Sequence, residues 1–451
     1  MWESLPDVLL EDIFSRVSIS DRYSASQVCR NWYRIFYSPR VWHVFVLSDR
    51  ILTRRKYNYY TGYQHILDHH RTQICLNRVG RNFRKLIFEP MCNFFNLYEF
   101  MNMLSFFCEY FDENPLGHIH TLDFSFACHL ATERSAQECV FGTGGKLLQA
   151  LKRLMKNLTG LRRISLRDLL LDPAEAMFLL DDVVSNCGET IHMMRLVNCT
   201  KEPYPILHVG VFLNIWVLEI SPQQIDADVI ILLSHTSLRD LYLVQNKYTD
   251  MALAVPVKAW RECRCLSPKL RVHLVVEGKV KQEVVWQEGA NVISIVYNTP
   301  YNQVAPESAL MAATLYPKEL EVYGFTELPR FYMQKSFMDR ADSALVLMSR
   351  SCPRLHTLII RERISTSTLL LIAFYGRSLR RMLVRRNAII KRCDWPKNPE
   401  WSTDFYLWLR HAAQSYETTA NEISQMLNCR WAPLSDQEFK TLDFYSSHYV
   451  S

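Results

Sequence analysis

Several clusters in the 451-residue sequence carry residue types that chemistry needs. Gly142-Thr-Gly-Gly-Lys146 has the glycines and the lysine with which a backbone cradles phosphate. A phosphate loop of that kind also needs G-x-x-x-x-G-K-[ST], and here Val140 and Leu147 stand at the two remaining positions. The stretch therefore reads as a turn in which Thr143 leads into a helix. His65-x-x-x-His69-His70 has the i,i+4 spacing that could hold a metal ion on one helix face. Position 66 is Ile rather than the Glu of a zinc hydrolase helix, and no third ligand is near, so these histidines are expected exposed, and His118-x-His120 likewise. Cys263-Arg-Cys265 is too isolated to be half a zinc site, no C-x-x-C occurs, and no cysteine has the flanks of a catalytic nucleophile. The sequence thus leads us to expect no metal, no cofactor and no catalysis by this chain.

Composition supports that expectation. The chain is 49% hydrophobic and 22% charged, enough apolar content for a large core spread over two or three domains or one long repeat array. Its 13 glycines are too few to favour a nucleotide enzyme. Fifty-two Lys and Arg against 46 Asp and Glu leave +6, a mild excess rather than the concentrated footprint of a dedicated nucleic-acid binder. Thirteen cysteines, an odd number scattered along the chain, suggest reduced, mostly buried thiols and a cytoplasmic or nuclear setting. The N-terminal Met-Trp-Glu-Ser-Leu-Pro-Asp is not expected to be a signal peptide, and no apolar run reaches the roughly 18 residues of a membrane span.

The elements that would position a site begin at the N-terminus. Ser4 with Asp7 three residues on, and Pro6 in the first turn, predict a helix whose stripe is Leu9, Ile13, Phe14 and Val17. Ser20-Asp21 predicts a second helix with Ala25, Val28 and Cys29 on its buried face. A third starts near Asn31, carries Trp32, Ile35 and Phe36, and stops at Ser38-Pro39 before Val41-Trp42. Three short helices are too small a core alone, so part of this apolar surface is expected to meet a partner.

The order Leu5-Pro6, Leu9, Ile13-Phe14, Val17, Asp21-Arg22, Ala25, Val28-Cys29-Arg30, Trp32 and Trp42 resembles an F-box. Val17 stands for the commoner Leu, and Arg22 and Tyr23 where an apolar residue is frequent. The resemblance implies docking on the small Skp adaptor of SCF (Skp–cullin–F-box) ubiquitin ligases. Leu5, Pro6, Leu9, Ile13, Phe14, Val17, Val28, Cys29, Trp32 and Trp42 would then be the adaptor-binding residues.

Beyond residue 80 a unit of the form L-x-x-L-x-L recurs. It appears as Phe83-x-x-Leu86-x-Phe88, Ile119-x-x-Leu122-x-Phe124, Leu161-x-x-Ile164-x-Leu166, Ile191-x-x-Met194-x-Leu196 and Ile215-x-x-Leu218-x-Ile220. It continues as Leu238-x-x-Leu241-x-Leu243, Leu355-x-x-Leu358-x-Ile360 and Leu379-x-x-Met382-x-Val384, with looser copies at Leu270–Val276, Asn291–Tyr297 and Leu320–Phe325. Helical stretches at Gly145–Leu158, Pro173–Asn186, Ile225–Ser234, Asp342–Ser351 and Thr366–Tyr375 lie between them. Strand then helix, repeated, predicts an irregular leucine-rich-repeat solenoid with parallel strands on a concave face and helices on a convex one. A doubly wound α/β domain is the runner-up. It is disfavoured because polar Asp123, Ser165, Arg195 and Glu219 alternate with the apolar residues.

The fold class expected is therefore α/β. It comprises a three-helix F-box over 1–46, a linker over 47–79, the solenoid over 80–392, and a C-terminal helical cap and tail over 393–451, with one long helix at Asp404–Leu427. Taken whole, the layout resembles the F-box only protein 33 and 39 group. The resemblance implies a non-catalytic, target-recognising subunit of an SCF ubiquitin ligase. Through the Skp adaptor it would join a cullin–RING module, leading to ubiquitination and proteasomal degradation of a protein target. Residues between the strand anchors would face that target, and Arg361, Arg381 and Arg385 are the candidates for gripping an acidic or phosphorylated segment of it. Two alternatives stay open, a non-ligase F-box scaffold and a basic solenoid that binds nucleic acid or another polyanion. No membrane partner is expected.

Overall fold

The computed structural model describes residues 5–60, 62–111, 113–127, 129–130, 139–140, 142–280, 284–302, 305–331 and 336–442. The chain divides into two compact units, Met1–Leu238 and Arg239–Ser451.

The first unit opens with helices Asp7–Arg16, Ile19–Ser26 and Arg30–Phe36. Pro6 is the N-cap of the first helix rather than a first-turn residue, and Ser4 lies outside the described residues. Ser18, not Ser20, caps the second by accepting from the amide of Asp21. Cys29 caps the third through its sulfur. A short 3₁₀ turn, Pro39–Trp42, leads straight into a strand, Val44–Leu47.

That strand begins a parallel sheet. It pairs with Lys85–Phe88, then Thr121–Ser125, Arg163–Arg167, Met193–Val197 and Val217–Ile220 follow as successive neighbours. Every pairing is in phase. Phe45, Leu86, Leu122, Ile164, Met194 and Leu218 stand side by side, and so do Leu47, Phe88, Phe124, Leu166, Leu196 and Ile220. All twelve are buried. Helices such as Phe94–Tyr110 and Lys146–Asn157 connect the strands. The second of these turns Leu148, Leu151, Leu154 and Met155 inward at helical spacing. The opposite sheet face carries Ile87, Asp123, Ser165, Arg195 and Glu219. Arg195 and Glu219 pair there at 2.6 Å.

In the second unit, strands Asp240–Gln245, Arg271–Glu277, Val292–Asn298, Val322–Phe325, Thr357–Ile360 and Arg381–Val384 are likewise parallel and sequential. Leu243, Leu274, Ile295, Tyr323, Leu358 and Met382 form one apolar row. Each copy of the repeat named above is thus a strand, tight or loose, and the fold is α/β with leucine-rich-repeat-like units. Helices Asp342–Ser351 and Thr366–Tyr375 form at the expected residues.

The structure corrects several expectations. Residues 47–79 are not a bare linker: they hold the hairpin Thr53–Asn58/Gly62–Leu67 and the helix His69–Val79. The sheet starts before them, because Trp42-x-x-Phe45-x-Leu47 takes the same form as the later repeats. Pro173–Asn186 is broken into Pro173–Ala176 and Asp181–Cys187, with Leu179 and Leu180 both buried in the break. The C-terminal segment is two helices, Thr403–Ala412 and Tyr416–Leu427. The chain turns at Ser415, which caps the second, while the hydroxyls of Thr418 and Thr419 donate to the carbonyl of Ala412. The second unit's outer sheet face is not a solvated polar surface. Tyr242, Val244, His273, Val275, Thr357 and Ile359 are all buried, and Gly324 sits where a Cβ would come within 2.4 Å of the Ile359 Cβ.

Phe45 stacks on Phe83 at 4.6 Å and on Phe100 at 5.5 Å, so the first strand belongs to the core. Phe45→Ala should lower the unfolding free energy by about 3 to 5 kcal/mol in urea titration. A loss under about 1 kcal/mol would show the strand to be peripheral.

Candidate functional site

The first helix separates its apolar residues into two adjacent stripes. Leu10 and Phe14, four apart, point into the three-helix core, where Phe14 meets Trp32 edge-on at 5.5 Å. Leu9 and Ile13, displaced by one residue, point outward and are 52% and 37% exposed. Val28, at the turn between the second and third helices, is 62% exposed, and Val8 and Tyr23 are also open to solvent. Pro6 is exposed, while Leu5, Val17, Cys29 and Trp32 are half-buried.

Of the ten residues expected to bind a partner, two are core instead. Phe14 is sealed by Trp32. Trp42 is buried under Phe36 at 5.2 Å, its indole N–H donating to the Phe36 carbonyl. Val28 was expected on a buried helix face and is instead at the surface. Val8 and Tyr23 add apolar surface outside the expected stripe; a shift of one residue back along the helix, from Leu10/Phe14 to Leu9/Ile13, separates core from surface.

One polar side chain holds this small domain together. Arg22, buried, donates to the carbonyls of Val17 at 3.0 Å, Ser15 at 2.9 Å and Val41 at 2.7 Å, and lies over the Trp42 ring at 5.2 Å. It satisfies carbonyls at and just beyond the end of the first helix, which has no further turn to supply donors. Burial lowers its pKa, and those three acceptors offset the desolvation.

The basic residues expected to hold a target are dispersed. Arg361 is fully buried, donating to the carbonyls of Thr299, Asn302 and Thr326 and to Glu362 at 3.0 Å, with Phe325 and Phe331 against its guanidinium. A target cannot reach it there. Arg385 is a bidentate partner of Asp436, at 2.6 and 2.9 Å, and so ties the last strand to the C-terminal cap. Arg381 stays on the exposed side of that strand. The three do not form one surface, because two of them close backbone and cap contacts that the fold itself needs.

The remaining clusters are structural. Thr143 is buried, its amide and hydroxyl donating to the Leu169 carbonyl. The amide of Gly145 donates to the carboxylate of Glu175 at 3.0 Å, an acid where a phosphate would have to sit. His65 lies in a strand and His69 starts a helix, where it meets Glu99 at 3.1 Å, so they share no helix face. Burial pushes the Cys75 and Cys108 thiols up to about 12 and keeps them protonated.

Residues 2–48 match the F-box-like family, so the N-terminal segment is an F-box-like domain. No curated protein matches the chain. Among solved structures, the chain is similar to an internalin from Listeria monocytogenes, with 8% identity, a TM-score of 0.30, and coverage of 84% of this chain and 88% of that one. The chain carries an F-box-like domain followed by repeated strand and helix units.

Replacing Leu9, Ile13 and Val28 together by Ser should leave the thermal midpoint within a few degrees of wild type, because none of the three is a core residue. Phe14→Ala should lower stability by about 3 to 5 kcal/mol. Equal melting of the two variants would contradict this division of the helix.

At the cap, the Arg385 guanidinium holds the Asp436 carboxyl below its usual range. The tie therefore contributes above the ordinary aspartate pKa and is lost as pH falls through the lowered one. Asp436→Asn should melt lower than wild type at neutral pH, and its melting temperature should fall less steeply in acid. Parallel pH profiles for the two proteins would contradict the tie.

Proposed function

We propose that this chain is the target-recognition subunit of an SCF-type ubiquitin ligase. The observation that carries the proposal is the exposure of the apolar side chains of Leu9, Ile13 and Val28 on a domain matching the F-box-like family. Such domains serve as docking modules for the Skp adaptor. Burying an aliphatic side chain of this kind contributes about 1.5 to 3 kcal/mol, so a few of them can dominate an interface.

In this reading the adaptor covers the outward stripe of the first helix and the turn at Val28, and a cullin–RING module joins through the adaptor. The repeat units hold the target protein. The chain then acts through proximity, since a tethered target meets the charged conjugating enzyme at an elevated effective concentration. It performs no bond chemistry itself. The protonated thiols of half-buried Cys75 and buried Cys108 are consistent with a non-catalytic role. Eleven of the described cysteines carry free thiols, which supports a reducing compartment, cytoplasm or nucleus. The narrower kinship with the F-box only protein 33 and 39 group is part of this proposal, and it rests on the resemblance in layout and a weak similarity across the C-terminal repeats.

Co-expression with the Skp adaptor and cullin tests the proposal. Wild type should co-purify both and support ubiquitin transfer to a bound target, while the Leu9→Ser/Ile13→Ser/Val28→Ser variant should lose the adaptor while still folded. Adaptor without cullin or ubiquitin transfer would indicate a non-ligase scaffold instead. Unchanged adaptor recovery by the variant would refute the docking surface.

A further inference from the structure

The hairpin Thr53–Asn58/Gly62–Leu67 is built as a clamped base with an open arm. Asn96, buried in the helix Phe94–Tyr110, accepts from the Leu67 amide at 2.8 Å and donates to the His65 carbonyl at 2.9 Å. Asn93 donates to the same carbonyl at 3.1 Å, and Arg71 reaches the Thr53 carbonyl at 3.4 Å. Buried amide bonds of this kind fix the direction in which the hairpin leaves the unit.

Beyond that base, Arg54 through Tyr60 are all exposed. The register pairs Arg54 with Ile66, Arg55 with His65, Lys56 with Gln64 and Tyr57 with Tyr63. Because side chains alternate, one face carries Arg55, Tyr57, His65 and Tyr63, and the other Arg54, Lys56 and Gln64. At the tip, Tyr59 and Tyr60 are 85% and 91% exposed. No acidic residue occurs from Thr53 to Leu67. The next acid along the chain, Asp68, is engaged in capping the following helix and lies 3.6 Å from Arg71.

Cations on both faces, no acid among them and tyrosines at the end describe a surface complementary to a negatively charged partner. Tyrosine supplies contact area at modest entropic loss, and arginine supplies a fork of hydrogen-bond donors. Ring geometry selects the class of partner. Arg55 already lies over the Tyr63 ring at 4.2 Å, and Tyr57 packs against Tyr63 and Tyr59 against Tyr60 edge-on. Flat ring faces for stacking nucleobases are thereby partly taken. The tip also lacks the aliphatic or Trp side chains that insert into a lipid interface.

We propose that this hairpin is an arm that grips an acidic segment, carboxylate- or phosphate-bearing, of the protein the chain captures. The role of that segment as part of a ligase target rests on the function proposed above. Arg54, Arg55 and Lys56 supply the charge, and Tyr59 and Tyr60 supply contact and hydroxyl donors.

The test uses the full chain and a fluorescent oligoglutamate peptide, with its phosphoserine-containing counterpart, oligothymidylate and phosphatidylserine vesicles as parallel probes. Two variants are compared with wild type, Arg54→Glu/Arg55→Glu/Lys56→Glu and Tyr59→Ser/Tyr60→Ser. All five side chains are exposed, so thermal melting and adaptor capture should match wild type. Each variant should weaken binding of one or both acidic peptides by about tenfold or more. Unchanged peptide binding in either variant would overturn the proposal, as would wild type preferring oligothymidylate or vesicles to both peptides. Adaptor capture by wild type is scored separately: its failure alongside arm-dependent peptide binding would remove the ligase reading and leave the arm as an acidic-segment site.

Discussion

A strand in a parallel sheet satisfies its backbone only through its neighbours, and here each neighbour is the next repeat. In the first unit that dependence reaches back to Val44–Leu47, which lies within the F-box-like region and starts two residues after the Pro39–Trp42 turn ends. The three N-terminal helices are therefore joined to the sheet through a short, packed connection. Trp42 packs on Phe36 of the third helix, and three residues later Phe45 stacks into the sheet core on Phe83 and Phe100.

Much of this was legible in the sequence. A recurring apolar triplet at offsets 0, 3 and 5 marks a strand whose alternate residues face helices. All the copies named from Phe83 onward are strands, and in the first unit their anchors stand in register. The earliest copy, Trp42-x-x-Phe45-x-Leu47, is masked in the sequence because Trp42 also fits the F-box pattern, and one tryptophan satisfies both. The hairpin is masked for another reason: Arg54-Arg55-Lys56 and its tyrosines alternate no apolar stripe, since neither face of the arm is buried beyond Thr53 and Leu67. Periodicity reports burial, and an exposed strand has none to report.

The candidate site was half legible for a related reason. Leu9, Ile13 and Val28 were named as partner-binding, but so were Phe14 and Trp42, because large apolar residues in a short helical domain serve either its core or its interface. Only the geometry of helix packing separates the two. Arginine misled in the opposite direction. Formal charge near the C-terminal repeats suggested a basic surface, whereas Arg361 is enclosed by carbonyls, Arg385 is tied to Asp436, and Arg340 is buried between Asp342 and Asp394. Arg22 does the same in the N-terminal domain. A guanidinium has five donors, and a fold with many strand ends and helix ends uses them to satisfy backbone oxygens.

The central claim is that the outward stripe of the first helix is a docking face and the inward stripe a core. Amide hydrogen exchange on the chain, alone and mixed with purified Skp adaptor, tests it directly. The account predicts added protection across Asp7–Arg16 and around Val28 when adaptor is present. Unchanged exchange there, with protection instead on the sheet strands, would contradict it.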